Sequence, residues 1–520
     1  MEEKGLSLLK RGQRGIARVI FSRSGLILGL LLVNAAITIG VFYWFEQFLP
    51  HVVGGNMLIT VGMVLYLLSS NMNPTAKITW LILVMVLPVF GALLFWYTQS
   101  DVGHRAVKRR LAHLEEQTMG AIRRPEQAQA LKEENPAVAN LARYMRHCGC
   151  HPVYNHTAAT YFPSGEAKWE EMLKQLEQAE EFIFLEYFII DEGMMWGRML
   201  EILARKAAQG VDVRVMYDGT CELTTLPHNY PELMRTLGIR CKMFSPVTPF
   251  VSTYYNYRDH RKILVIDGHI AFTGGVNLAD EYINQTHRFG HWKDTAIMLK
   301  GDAVKSFTLM FLQMWGITER HPEFDRFLRI PAPDCADAKG YVIPYGDSPL
   351  DDNKLGERVY MDILNRAQRY VHIMTPYLIL DGEMETALKF AAERGVDVRI
   401  LLPGVPDKKI PYALAKSHFA SLLHSGVKIY TYTPGFVHAK VFVSDDREAV
   451  VGTINLDYRS LYHHFECAAY LYDTDCIPQI EEDYQNTLEQ CQQVTMEMVR
   501  NDNWLWKLAG ILLKAAAPLL

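Results

Sequence analysis

One pattern occurs twice in this chain, displaced by 178 residues. His260-Arg261-Lys262-Ile263-Leu264-Val265-Ile266-Asp267 and His438-Ala439-Lys440-Val441-Phe442-Val443-Ser444-Asp445 both read H-x-K-x4-D. Gly274-Gly275 with Asn277, and Gly452-Thr453 with Asn455, follow at that same displacement. A lone histidine on an apolar run is most often a core residue. Two copies of a four-part pattern held in one register instead demand a duplicated fold whose copies present equivalent surfaces.

The residues around the motifs repeat as well. Phe182–Asp191 and Tyr370–Asp381 are apolar runs of strand character, each followed by an amphipathic helical pattern, near 194–209 and 383–394. Gly210-Val211-Asp212-Val213-Arg214-Val215 and Gly395-Val396-Asp397-Val398-Arg399-Ile400 then return as strands. Strand, helix, strand is the unit of an α/β domain with a largely buried sheet. The fold class expected is α/β: two such domains in tandem, related by a pseudo-twofold axis, behind N-terminal transmembrane helices. The divisions read from the chain are 1–100 membrane region, 101–150 helical linker, 151–332 first domain, 333–500 second domain and 501–520 tail.

His and Lys two apart on a strand share a face. With an Asn amide brought in by the following turn, each half offers a phosphate half-site: charge from Lys262 or Lys440, hydrogen bonds from Asn277 or Asn455, and a His able to attack or move a proton. Two such half-sites facing one phosphorus suit in-line displacement, one His attacking and the other protonating the leaving oxygen. Asp267 and Asp445 complete the catalytic motifs as written. Their odd offset from the lysines turns them to the opposite strand face, where they would hold the turn before Gly268 or Arg447.

The paired motifs resemble those of the phospholipase D superfamily. The fuller strings Asn256-Tyr257-Arg258-Asp259-His260-Arg261-Lys262, Gly274-Gly275-Val276-Asn277 with Glu281-Tyr282, and Gly452-Thr453-Ile454-Asn455-Leu456-Asp457-Tyr458-Arg459-Ser460 are similar to bacterial cardiolipin synthases. The likeness implies phosphatidyl transfer between two phosphatidylglycerol molecules, giving cardiolipin and glycerol through a phosphohistidine, with His260 favoured as nucleophile. It implies no metal and no cofactor, the lysines supplying positive charge. It also implies a carboxylate that orients each catalytic His through a ring nitrogen; Glu466 and Asp294 are the candidates. A phospholipase D hydrolase, or a transferase using another alcohol, would carry the same residues. A membrane scaffold without activity would be expected to have lost a His or Lys, and neither half has. Arg258 could reach an anionic headgroup. His287, His291, His463 and His464 read as outer or surface residues, and Arg459 and Ser460 as weak members of the site.

The net charge of −5 is unlike that of a bulk nucleic-acid binder, so the partners expected are phosphatidylglycerol, other membrane phospholipids and the bilayer, not nucleic acid. Residues 1–24 are basic, and three apolar runs follow: Leu26–Phe48, Val52–Leu68, and Ile78–Tyr97 with Pro88 inside it. A span takes about 20 apolar residues. Asn73-Pro74-Thr75 matches the turn that precedes a span in the family. Three spans would set the basic N-terminus and the catalytic domains on opposite faces. Both basic stretches lie inside only if one run, the short and Gly-broken Val52–Leu68, does not cross. That gives a multi-pass bacterial cell-membrane protein with its catalytic domains at the cytoplasmic face. Residues 101–150 read as a solvated connector. Cys148-Gly149-Cys150, between His147 and His151, is too compact to wrap one tetrahedral ion, and the eight cysteines form no framework. The tail, with Trp504, Trp506, Lys507 and Lys514 among Leu and Ile, fits an interfacial helix or one docked on the domain.

Overall fold

The computed structural model describes residues 53–99, 105–122, 125–246, 257–351 and 353–519, with the single positions 36 and 40. The repeat folds as a repeat. In the first half the strands are β1 (Thr157–Phe162), β2 (Phe182–Tyr187), β3 (Asp212–Asp218), β4 (Arg240–Phe244), β5 (Arg258–Asp259), β6 (Lys262–Ile266), β7 (Ile270–Gly274), β8 (His291–Lys293) and β9 (Ala296–Gly301). In the second they are β10 (Tyr341–Asp347), β11 (Tyr370–Met374), β12 (Asp397–Pro403), β13 (Lys428–Tyr432), β14 (Gly435–Val437), β15 (Val441–Ser444), β16 (Glu448–Gly452), β17 (His464–Tyr472) and β18 (Cys491–Gln493). One sheet runs β1-β9-β7-β6-β2-β3-β4 and the other β10-β17-β16-β15-β11-β12-β13-β18. The first seven positions correspond strand for strand.

Each half builds its parallel portion from a strand, a helix and a strand: β2, helix Met194–Ala208 and β3; then β11, helix Gly382–Glu393 and β12. The first of these helices buries Met195, Trp196, Met199, Leu200 and Leu203, a stripe with helical spacing. Both helices stop the same way. Gly210 and Gly395 take φ of +97° and +96°, and the next N–H reaches back to Lys206 O and Ala391 O at 3.1 Å. That left-handed closure is why a Gly precedes each Val-Asp-Val.

The two sheets face each other across a shared core. Phe184, Ile263 and Val265 of one meet Val441, Val443 and Ala449 of the other, with Phe307, Phe311, Ile477 and Ile480 from helices Val304–Gly316 and Ile477–Leu488. Burial of each such side chain stabilises by about 1.5–3 kcal/mol. Separate cores lie on the outer faces.

The linker is not a solvated connector. Helices Pro125–Glu134 and Pro136–Cys148 insert Leu131, Val138, Leu141, Ala142 and Met145 into the outer core of the second half. Arg110 is likewise engaged, donating to Glu319 O at 2.6 Å.

Most of the first apolar run lies outside the described residues. The second is helix Val53–Ser69, and the third is split by Pro88 into Pro74–Val86 and Pro88–Gln99. Among the described residues no helix is long and apolar enough to cross a membrane. Leu67, Trp80 and Phe95 hold these helices together, while Leu58, Leu65, Met85, Val86 and Trp96 are exposed. Asn73 ties the group to the second half: its Nδ2 lies 2.8 Å from Asp381 Oδ2 and 2.9 Å from Tyr462 Oη, and its Oδ1 caps the helix at Thr75 N. The tail helix Trp504–Ala516 docks on helix Lys409–His424, with Gly510 against Ala413 and Ser417, and leaves Trp504, Trp506 and Leu512 outside.

Candidate active site

The motif strands bring the two histidines together by an arrangement their spacing does not reveal. Neither His lies on a strand: Lys262 opens β6, whereas Lys440 lies with His438 in the short link before β15. His260 sits between β5 and β6, and His438 between β14 and β15. The preceding short strand in each case pairs with a strand of the other half. β5 pairs with β17 in parallel, Arg258 opposite His464, and His260 N–H donates to Phe465 O at 2.9 Å. β14 pairs with β8, Val437 opposite Lys293, and His438 N–H donates to Lys293 O at 2.7 Å.

This stitching sets each His beside a carboxylate of the opposite half. His260 Nδ1 lies 2.9 and 3.0 Å from the two oxygens of Glu466, and His438 Nδ1 lies 2.7 Å from Asp294 Oδ2. Both carboxylates are fully buried. A buried carboxylate at Nδ1 fixes the proton there, which leaves each Nε2 as the free base or nucleophile. Glu466 and Asp294 thus each lie against the His of the opposite half, a crossed arrangement. Thr453 Oγ1 donates to Glu466 Oε2. At the equivalent position Gly275 leaves room for Asp294, whose Oδ1 would lie 2.0 Å from an added Cβ.

The lysines are buried beside the histidines. Lys262 Nζ donates to His260 O at 2.5 Å; Lys440 Nζ donates to His438 O and lies 2.9 Å from His438 Nδ1. Burial pushes Lys262 down to about 8 and Lys440 to about 7, against the opposing pull of Glu466 and Asp294 respectively. Burial, then Lys440, pushes His438 down to about 4; burial, then Lys262, Lys440 and His438, pushes His260 well below the ordinary range. Burial would raise Asp294, but His438 and Lys440 hold it below the usual carboxylate range. The result is a compact, closely coupled set of two His, two Lys and two carboxylates, suited to holding an anion between the lysines.

Other expected residues fall elsewhere. Asp267 and Asp445 are not at the site. Both stand at positive φ, and their carboxylates cap the start of β2 and β11, Asp267 accepting from Glu180, Glu181 and Phe182 N–H and Asp445 from Gln368, Arg369 and Tyr370 N–H at 2.7–2.9 Å. Their place in the motif is architectural. Asn277 is buried with its amide committed, Oδ1 accepting from Ile189 N and Nδ2 donating to Tyr282 Oη. Asn455 is buried, and among the described residues its Oδ1 has no hydrogen-bond partner. Arg258 does not face outward: it is buried, donating to Ser245 O at 2.9 Å and lying 3.5 Å from Asp218. Ser460 is buried and its N–H donates to Asp457.

Two further features escape the motif reading. The carbonyl before each Asn is held from beneath, Val276 O by Lys168 Nζ at 3.3 Å and Ile454 O by Tyr360 Oη at 3.0 Å. His464, read as an outer residue, is buried with its ring 5.4 Å from that of His260. The signal was available, because His464 and Glu466 are two apart on one strand and share its face.

Comparison with known proteins places this architecture. The family model described as "Cardiolipin synthase, PLD-like domain" matches residues 172–315 and 360–488. An uncharacterized protein of Streptococcus mutans is 57% identical over 461 residues, 88% of this chain and all of that protein. Cardiolipin synthases of Alkalihalophilus pseudofirmus and Halalkalibacterium halodurans are 33% and 31% identical, covering 89% and 96% of this chain and 92% and 100% of their own lengths. The crystal structure of phosphatidylserine synthase from Haemophilus influenzae superposes with a TM-score of 0.53 at 17% identity, over 69% of this chain and 93% of that one, a likeness of fold.

Proposed function

The chain belongs to the cardiolipin synthase, phospholipase D-like family, and from that premise we propose that it is a phosphatidyltransferase joining two phosphatidylglycerol molecules into cardiolipin with release of glycerol. The observation that carries the reading is the crossed pair His260–Glu466 and His438–Asp294 around two buried lysines. His260 Nε2 attacks phosphorus while His438 gives its proton to the departing glycerol oxygen. The P–O bond to glycerol breaks, a P–N bond forms, and His260 holds a phosphatidyl group. His438, now neutral, takes the proton of a second phosphatidylglycerol hydroxyl, whose oxygen displaces His260. Lys262 and Lys440 stabilise charge on the equatorial oxygens. The bound phosphodiester anion also offsets the lysine charge that pushes His438 down, so that His438 can carry the proton it must donate.

A two-chain lipid stays in its bilayer, so the site must work at a membrane surface. The exposed apolar side chains of the helices at 53–99, with Trp504, Trp506 and Leu512 of the tail, support that placement. Sidedness is assigned to the cytoplasmic face on the basic segments of the sequence. The halves divide as 151–332 and 333–500.

The test is lipid analysis of the full-length enzyme in phosphatidylglycerol vesicles without added metal. Cardiolipin and glycerol released together, and lost in His260→Ala and His438→Ala, are the expected result. Phosphatidic acid without cardiolipin would make it a hydrolase. Unchanged lipid turnover in both variants would remove the site assignment.

A further inference from the structure

The two half-sites differ in one residue with ligand chemistry of its own. Along β17 the alternation His464-Phe465-Glu466 turns His464 and Glu466 to one face, and the β5–β17 pairing delivers His260 to that same face. The equivalent position in the other half, two before Asp294, is Trp292, which packs on His438 with ring centroids 5.3 Å apart. One half-site therefore contains two imidazoles and a carboxylate, the other a single imidazole and a carboxylate.

Three observations make the first set more than a crowded corner. Its three ligand atoms all lie within 4.8 Å of one another. Two of the edges are 2.9 Å, from His260 Nδ1 to Glu466 Oε1, and 3.8 Å, from His464 Nδ1 to that oxygen. A tetrahedral zinc ion with bonds of about 2.0–2.1 Å separates its ligand atoms by about 3.3 Å. The third observation is that His464 Nδ1 is buried and, among the described residues, has no hydrogen-bond partner. A buried polar atom normally has one.

We propose that His260, His464 and Glu466 form a three-ligand site for a divalent cation of zinc's chemistry, and that filling it switches the transferase off reversibly. Two His and one carboxylate is a ligand set zinc takes, with the fourth position open. Filling it replaces the Nδ1 proton of His260 with the ion and withdraws Glu466; the neutral imidazole then carries its proton on Nε2, so the lone pair that attacks phosphorus is lost. Lys262 and Lys440 face the same space and oppose a cation. The site is accordingly a reversible inhibitory one, not a structural centre, and a bound phosphodiester competes with the ion.

The inhibitory half of this inference rests on the proposed function, whereas metal binding does not, and the two are measured separately. Cobalt is titrated into full-length enzyme without a polyhistidine tag, stripped of metal beforehand, and followed by visible absorption. Ligand-field bands are expected that vanish in His464→Asn and persist when Cys148 and Cys150 are both changed to Ser, which removes the other His- and Cys-rich segment as their source. Glu466→Gln, read by cobalt absorption alone, is a second variant should His464→Asn fold poorly, and it too should lose the bands. Zinc is then added to the vesicle assay. Half-inhibition is expected to require at least tenfold more zinc in His464→Asn than in the wild type. Bands that survive in both His464→Asn and Glu466→Gln, or equal zinc sensitivity in wild type and His464→Asn, would overturn the site. Bands that follow His464 in a protein making no cardiolipin would uphold the site and overturn the transferase.

Discussion

The two half-sites solve one geometric problem in two ways. Each must place a carboxylate against Nδ1 of a His that arrives from the opposite half. In one, the carboxylate is the longer Glu466, and Thr453 fills the space beneath it and donates to it. In the other it is Asp294, one methylene shorter, and Gly275 leaves that space for it; a Cβ there would lie 2.0 Å from Asp294 Oδ1 and 2.8 Å from His438 O. Thr with Glu and Gly with Asp are compensating pairs. The difference also reaches the histidines. His260 rests against Phe188 and His464, whereas His438 rests against Tyr282 and Trp292 with Lys440 close to its Nδ1. A duplicated scaffold has kept its backbone and its motif and diverged in what surrounds each imidazole, as expected where one must attack and the other must move protons.

The most severe way to break this comparison is to remove either imidazole. His260→Ala and His438→Ala are each expected to lower transfer by about 10⁴-fold. They should fail differently. With the attacking residue intact, His438→Ala should still form a phosphatidyl-enzyme when offered a donor whose leaving group needs no proton, such as a nitrophenyl phosphodiester. His260→Ala should not. Acid-labile phospholipid trapped on His260→Ala would reverse the assignment of roles.

Next in size is the packing of the carboxylates. Gly275→Ala must displace Asp294 and is expected to cost about 10- to 100-fold in kcat. Gly275→Thr combined with Asp294→Glu imports the other half's solution. It should recover activity relative to Gly275→Thr alone, a coupling that a double-mutant cycle measures directly. Losses that simply add would show that the two pairs are not interchangeable. Thr453→Ala removes only a hydrogen bond to a buried charge and should cost about tenfold, with KM little changed.

The repeated strands, the two His and the two Lys were legible because the repeat holds them at one displacement of 178 residues; Asp294 and Glu466 fall outside that register and were reached only through the family likeness. What the sequence did not disclose was the crossing. Strand pairs of two and three residues, β5 with β17 and β8 with β14, join segments far apart in the chain, and no periodicity marks so short a strand. That is also why His260 and His438 read as strand residues when they occupy the junction between two strands. Asp267 and Asp445 share the motif because the fold needs them, each capping a central strand from a left-handed turn. The linker misled for another reason. Its apolar positions have helical spacing, but charged residues crowd between them, and only the outer core of the second half shows what they pack against.

The smallest expected effect concerns His464 and the stability of the fold. Its imidazole is buried and held down to about 3, against an ordinary value near 6.5. Above pH 6.5 it is neutral in folded and unfolded chains alike and has no pH-linked effect. As pH falls below 6.5 the unfolded chain binds a proton that the folded one refuses, so stability is lost progressively until about pH 3. At pH 5 this amounts to about 2 kcal/mol. Other buried groups titrate in that range, some with the opposite sign, so the informative quantity is a difference. The melting temperature of His464→Asn, compared with wild type in detergent at pH 7 and pH 5, should improve relative to wild type on acidification by on the order of a few degrees. Trp292, which occupies the equivalent place beside His438, has no proton to bind, and Trp292→Phe should leave the pH dependence of the wild type intact. A gap between His464→Asn and wild type that stays constant across this range would mean that His464 is solvated or paired in the folded enzyme, and would weaken its standing as a free ligand beside His260.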